Sequence, residues 1–90
     1  MKILVDGYRY ELAHDNVLQF IQKFTGGPEV PGTTNEEVLA VLIDRLCFLN
    51  AKHSCRENAL AITKLEEALM WLEKRTANRA ARGVEGKDLA

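Results

Sequence analysis

Apolar and polar positions alternate with two different periods along this chain, and the change falls near residue 34. Lys2 to Val5 is apolar and β-branched, Asp6-Gly7 follows, and Tyr8 to Leu12 alternates aromatic with charged residues. Asp-Gly between two such runs is a strong hairpin signal, because both residues tolerate the positive φ of a type I′ turn. His14-Asp15-Asn16 marks a second turn, and the loose alternation of Val17 to Phe24 predicts a third strand. The simplest arrangement is an antiparallel three-stranded meander over residues 1–24. Thr25 to Thr34 holds three Gly and both prolines and reads as a linker loop.

Beyond the loop the period becomes helical. Thr34 with Glu37 forms a capping box, and a first helix is predicted from about Asn35 to Ala51. Its apolar positions (Val38, Leu39, Val41, Leu42, Ile43, Leu46, Phe48, Leu49) are wider than one stripe, so more than one face is expected to be covered. After Lys52-His53, Ser54 with Glu57 predicts a second cap. Ser54 to Arg82 then contains neither Gly nor Pro. Two helices joined so tightly must fold back as an antiparallel αα-hairpin over residues 35–82. Ile62, Leu65, Leu69 and Leu72 follow the seam spacing of a helix pair, and its extension takes in Asn58, Thr76 and Arg79. Gly83 is the expected C′ residue, and residues 83–90 read as a loose tail. The fold class is therefore α+β: a small N-terminal antiparallel three-stranded meander followed by a long antiparallel αα-hairpin.

Ninety residues are enough for a single domain, but such a domain buries only about 60–65% of its unfolded surface. Association with copies of itself would relieve that shortage. The net charge of −1 and pI near 6.1 argue against a general binder of DNA or of anionic membranes. No apolar run is long enough to cross a bilayer, and the N-terminus lacks the apolar core and cleavage site of a signal peptide. Cys47 and Cys55 are expected to be reduced thiols in a cytosolic protein.

Charge distribution is more informative than charge total. Lys74, Arg75, Arg79 and Arg82 crowd the end of the second helix with no acid among them. Arg75, Arg79 and Arg82 sit at i, i+4 and i+7, a row of planar forks suited to phosphate. The plainer reading is that cations favour helix C-termini through the macrodipole. Phe48 and Asn58 flank the interhelical turn, and an aromatic face with an amide is a minimal nucleobase site. On spacing alone they are better read as a core aromatic and a polar seam residue that fixes register.

Other residues carry less. Tyr8, Arg9 and Tyr10 mix aromatic and basic character, but strand propensity explains both tyrosines. Trp71 reads as interface or core. His53-x-Cys55 is too sparse for a zinc site. No triad, phosphate loop or carboxylate pair is present, so an enzyme is the weaker class. Asn58 and Arg75 lie about 25 Å apart along one helix. If both serve one ligand, two chains must pack antiparallel and form two equivalent pockets.

The segment CRENALAITKLEEALMWLEKR, with Arg56-Glu57-Asn58, then Ala61 to Ala68, then Trp71, resembles the hairpin domain of small bacteriophage proteins that block bacterial cyclic-nucleotide immunity. These are the Thoeris anti-defence and anti-CBASS sponges. The resemblance covers about Asn35 to Arg82, and the strand-rich N-terminal portion resembles the Thoeris-type branch. It implies a non-catalytic protein that needs no cofactor and holds cyclic ADP-ribose isomers, or cyclic di- or trinucleotides, without cleaving them. It implies a homodimer and a hexamer built as a trimer of dimers, acting in the cytoplasm of the infected bacterium. In the Thoeris-type branch an aromatic before the turn and an Asn ten residues later contact the ligand, which Phe48 and Asn58 match. Two arginines one turn apart contact its phosphates there, which Arg75 and Arg79 match. Arg56 and Arg82 are the further candidates. The Tyr and Lys used by the anti-CBASS branch have no secure match here, and the Thr25 to Thr34 loop departs from longer relatives. The rival readings are a helical-hairpin module that regulates a host protein through the Leu-rich seam and Trp71, and a phosphodiesterase-like enzyme.

Overall fold

The computed structural model describes residues 1–83. The expected loose tail after Gly83 lies outside the described residues. Two compact units divide the backbone, Met1–Asn35 and a second that starts at Glu36.

The first unit is the expected meander. Strands β1 (Lys2–Val5), β2 (Arg9–Glu11) and β3 (Val17–Gln19) pair antiparallel in the order β1-β2-β3. The register sets Ile3 and Leu18 on either side of Tyr10. Phe20 meets Tyr10 edge to face at 6.0 Å, so one sheet face is aromatic and aliphatic. On the other face Lys2 stands opposite Glu11, a favourable cross-strand charge pair.

The first turn differs from expectation in type, and the second lies where the sequence places it. The register shifts between Ile3 and Val5. Tyr8 N–H donates to Val5 O across Asp6-Gly7 at 3.0 Å, with only Gly7 at positive φ (79°). That is the signature of a type II turn rather than type I′. The positive-φ pair sits instead at His14 (φ 59°) and Asp15 (φ 62°), inside a 3-10 turn over Ala13–Asp15. Asn16 supports it, its side-chain amide donating to Ala13 O at 3.0 Å.

The third strand is shorter than the predicted Val17 to Phe24, and the supposed linker loop explains why. Thr33 N–H donates to Gln19 O at 2.8 Å and Ile21 N–H to Thr33 O at 3.0 Å. Gln22 and Val30 exchange both backbone hydrogen bonds, at 3.0 and 2.8 Å. The chain after β3 therefore pairs with its own return segment. Only glycine allows this at residue 32, where a Cβ would stand 2.5 Å from Gln19 O.

The second unit is the helical hairpin: α1 (Asn35–Lys52), a three-residue connection over 53–55, and α2 (Arg56–Ala81). At 26 residues, α2 is about 39 Å long. It ends as predicted, with Gly83 at φ 73° directly after the cap. The two helices run antiparallel, and at the open end Glu36 of α1 comes within 3.8 Å of Arg75 of α2. On α2 the less exposed side chains include Asn58, Ile62, Leu65, Leu69, Leu72, Thr76 and Arg79, the seam read from the spacing. On α1 they include Leu39, Ile43, Leu46 and Asn50.

The start of α2 corrects one expectation. Its cap is Cys55, not Ser54: Asn58 N–H donates to Cys55 Sγ at 3.4 Å. Cys55 N–H in turn donates to Asn50 Oδ1 at 3.1 Å. Asn50, in the last turn of α1, closes the connection by holding the residue that caps the next helix, and this moves the start by one position.

Among the described residues no side chain is fully buried. Val41, Leu42 and Phe48 on α1, and Leu60, Met70 and Trp71 on α2, remain exposed. The expected cover over more than one face of α1 is therefore absent within one chain, where Val41, Leu42 and Phe48 face water.

Candidate functional site

The candidate residues fall at opposite ends of the hairpin. Phe48 lies in the last two turns of α1 and Asn58 in the first turn of α2, both beside the connection. Phe48 is 55% exposed. This is not the core aromatic that spacing alone favours; its ring lies open to water. Lys52, four residues on, places Nζ 4.7 Å from the ring centroid, a cation–π contact of the i, i+4 type. Asn58 is half-buried on the seam. Its backbone N–H caps α2 through Cys55, and no hydrogen bond is recorded for its side-chain amide among the described residues. Asn58 therefore closes the turn with its backbone, and its half-buried side chain makes no hydrogen bond among the described residues.

The basic end is less uniform than the sequence suggests. Arg75 is not unpaired. α1 runs antiparallel and brings the first-turn acid Glu36 across to within 3.8 Å, with the two side chains 45% and 31% exposed. The acid comes from the other helix, where first-turn acids are expected on dipole grounds. Arg79 is half-buried on the seam, and its Nε is shielded from water without a hydrogen-bond partner. A shielded guanidinium N–H with no acceptor is an incomplete arrangement that an oxygen ligand would complete. Arg82 caps the end of α2 and is exposed, as is Arg56 at its start.

One chain brings Phe48 and Asn58 to one end and Arg75 and Arg79 to the other. It does not bring the two pairs together, because about 25 Å of α2 separates Asn58 from Arg75. Trp71 is 55% exposed and carries Lys74 Nζ at 5.1 Å from its ring. Tyr10 is engaged with Phe20 within the sheet. Among the described residues no group of three or more metal-ligating side chains occurs, and no helix is long and apolar enough to cross a membrane.

The chain is an α+β hairpin protein, with Phe48 and Asn58 at one end of the hairpin and Arg75 and Arg79 at the other. Residues 18–77 match the family described as Acb2/Tad1, hairpin domain, and the chain belongs to that family. The matched span runs from β3 into the last turns of α2. It includes Phe48, Arg56, Asn58 and Arg75, whereas Arg79 and Arg82 lie beyond it. The chain is also similar to a protein of Bacillus phage SBSphiJ7 named Thoeris anti-defense 1, with 64% identity over 56 residues. That alignment covers 61% of this chain and 39% of the relative, so the chain matches well under half of the phage protein's length.

Proposed function

We propose that this chain is a phage anti-defence protein that binds and sequesters cyclic nucleotide immune signals without cleaving them. The proposed ligands are cyclic ADP-ribose isomers, with cyclic di- and trinucleotides as a further class, so that Thoeris and also CBASS signalling would be blocked. The observation that carries this reading is membership of the hairpin family over residues 18–77, a span that holds Asn58 and the exposed Phe48 at one end of the hairpin and Arg75 at the other. The name of the phage relative supports the anti-defence part.

In the proposed complex Phe48 stacks on the purine and Asn58 hydrogen-bonds a base or ribose edge. Arg75 and Arg79 of the partner subunit hold the pyrophosphate, with Arg56 and Arg82 as outlying contacts. The separation of the two ends within one chain requires a partner, and a two-fold pair supplies two identical pockets. The exposed stripes at Leu60, Met70 and Trp71, and at Val41 and Phe48, offer surface for a homodimer and for a hexamer as a trimer of dimers. Inhibition then needs only tight binding and slow release, which groups held on helices favour by losing little freedom on binding. The site of action would be the cytoplasm of the infected bacterium.

The test is depletion and recovery. Protein is mixed with a cyclic ADP-ribose isomer, free ligand is measured, and the protein is then heat-denatured and free ligand measured again. Loss followed by return of intact ligand is the expected result. Return of a linear product would make the protein an enzyme. Absence of depletion with every cyclic nucleotide would leave the second reading, a hairpin that regulates a host protein through Leu60, Met70 and Trp71, whose exposure is the observation favouring it.

A further inference from the structure

The two arginines of the basic end are in different electrostatic states. Arg75 has a counter-ion of its own, because Glu36 lies 3.8 Å away in the first turn of α1. Arg79 has none among the described residues, and its Nε is shielded and unpartnered. An anion arriving at this end therefore meets one half-buried guanidinium without a counter-ion and one already engaged.

We propose that Glu36 is a built-in competitor for the anion at Arg75 and thereby sets which ligands the basic end retains. This rests on the proposed function, which places phosphates at Arg75 and Arg79. A ligand whose charge reaches Arg79 alone leaves the Glu36–Arg75 pair intact. A ligand with two linked phosphates spans both arginines, one helical turn apart, and must take Arg75 from the carboxylate. Glu36 is suited to this exchange. It is held loosely, through a single contact at the long end of the ion-pair range between partly exposed side chains. Once released it still lies in a first helical turn, where the macrodipole favours an acid and water can solvate it. Simple polyphosphates, which gain nothing at Phe48 and Asn58, are discouraged by this competition. A ligand that also engages Phe48 and Asn58 has binding energy enough to overcome it. The glutamate thus sets an affinity threshold at the basic end, which contacts beyond the phosphates help a ligand to exceed.

The experiment measures binding of inorganic pyrophosphate, and separately of a cyclic ADP-ribose isomer, by calorimetry at one fixed ionic strength. The proteins are the wild type, Glu36→Gln, Arg75→Ala and the double variant. Glu36→Gln is expected to tighten pyrophosphate binding by about two- to fivefold, the range of an exposed ion pair. The gain should vanish in the Arg75→Ala background, which distinguishes competition at Arg75 from a general change in charge. Unchanged or weaker pyrophosphate binding by Glu36→Gln overturns the proposal, as does absence of pyrophosphate binding by every protein. The cyclic ADP-ribose arm tests the underlying reading separately. If the wild type fails to bind that ligand while Glu36→Gln gains pyrophosphate through Arg75, the sponge reading fails and the competitor role stands.

Discussion

Replacing Phe48 separates a stacking platform from a packing residue, because the ring is 55% exposed. A core Phe→Ala change costs about 3–5 kcal/mol, but a ring left mostly in water forfeits only a fraction of that. The substitution also removes the Lys52 contact, worth about 0.5–1 kcal/mol at an exposed site, and gains some helix propensity from Ala. The net change in stability should lie within about 1.5 kcal/mol, from the sum of these opposing effects. Stacking of a base on an aromatic side chain is worth about 1–3 kcal/mol, so Phe48→Ala should weaken binding of a cyclic ADP-ribose isomer by roughly 5- to 150-fold. Phe48→Leu retains apolar bulk without a π face and should recover little of that loss. Calorimetry reads the affinity, a thermal melt the stability, and light scattering whether the assembly survives. If Phe48→Ala binds as the wild type does while folding and assembly are intact, the ring is not the platform. If Phe48→Leu restores full affinity, the contribution is area and not stacking.

Removal of Arg79 should weaken the same ligand by about 10- to 100-fold, the worth of a charge-assisted hydrogen bond, with Arg79→Lys recovering only part because it lacks the planar fork; equal affinity for all three proteins would show that the shielded Nε faces no ligand. On the proposed homodimer, Trp71→Glu puts a charge into the exposed stripe with Leu60 and Met70 and should leave a monomer in native mass spectra where the wild type gives a dimer or hexamer; equal spectra for the two would move the interface elsewhere or refute the pairing. His14→Gly should raise stability by up to about 1 kcal/mol, since a left-handed conformation is costly for a residue with a Cβ; a lower melting temperature would contradict the turn geometry at His14.

What the sequence conveyed was whatever repeats over a few residues. The seam from Ile62 to Leu72, with Asn58, Thr76 and Arg79 as its extensions, follows from helical periodicity, which is local. The Gly83 terminus follows from a single residue's freedom. Features that depend on a distant partner were illegible. Asp-Gly suits a type I′ turn in isolation, but the register shift beside Ile3 alters the geometry that the strands present, and the two left-handed positions fall at His14 and Asp15. The loop after β3 looked like a linker by composition, yet Gly32 is small so that this loop can lie against Gln19 to Ile21. Ser54 is the cap that the Ser-x-x-Glu spacing predicts, and Asn50 decides in favour of Cys55 from the other helix. The places of Phe48, Asn58, Arg75 and Arg79 on the hairpin were legible. The contact of Arg75 with Glu36 was not, since it exists only once α1 and α2 lie antiparallel.

The lack of any fully buried side chain among the described residues has a consequence for dosage. On the proposed pairing, each copy receives from another both the cover for its apolar stripes and the far half of its pocket. Stability and binding capacity then rise together with protein concentration by mass action. Below the dissociation constant of the pair, a further molecule adds almost no capacity; above it, each pair adds two sites. Protection of an infecting phage would then switch on over a narrow range of expression, timed by how quickly this small chain accumulates.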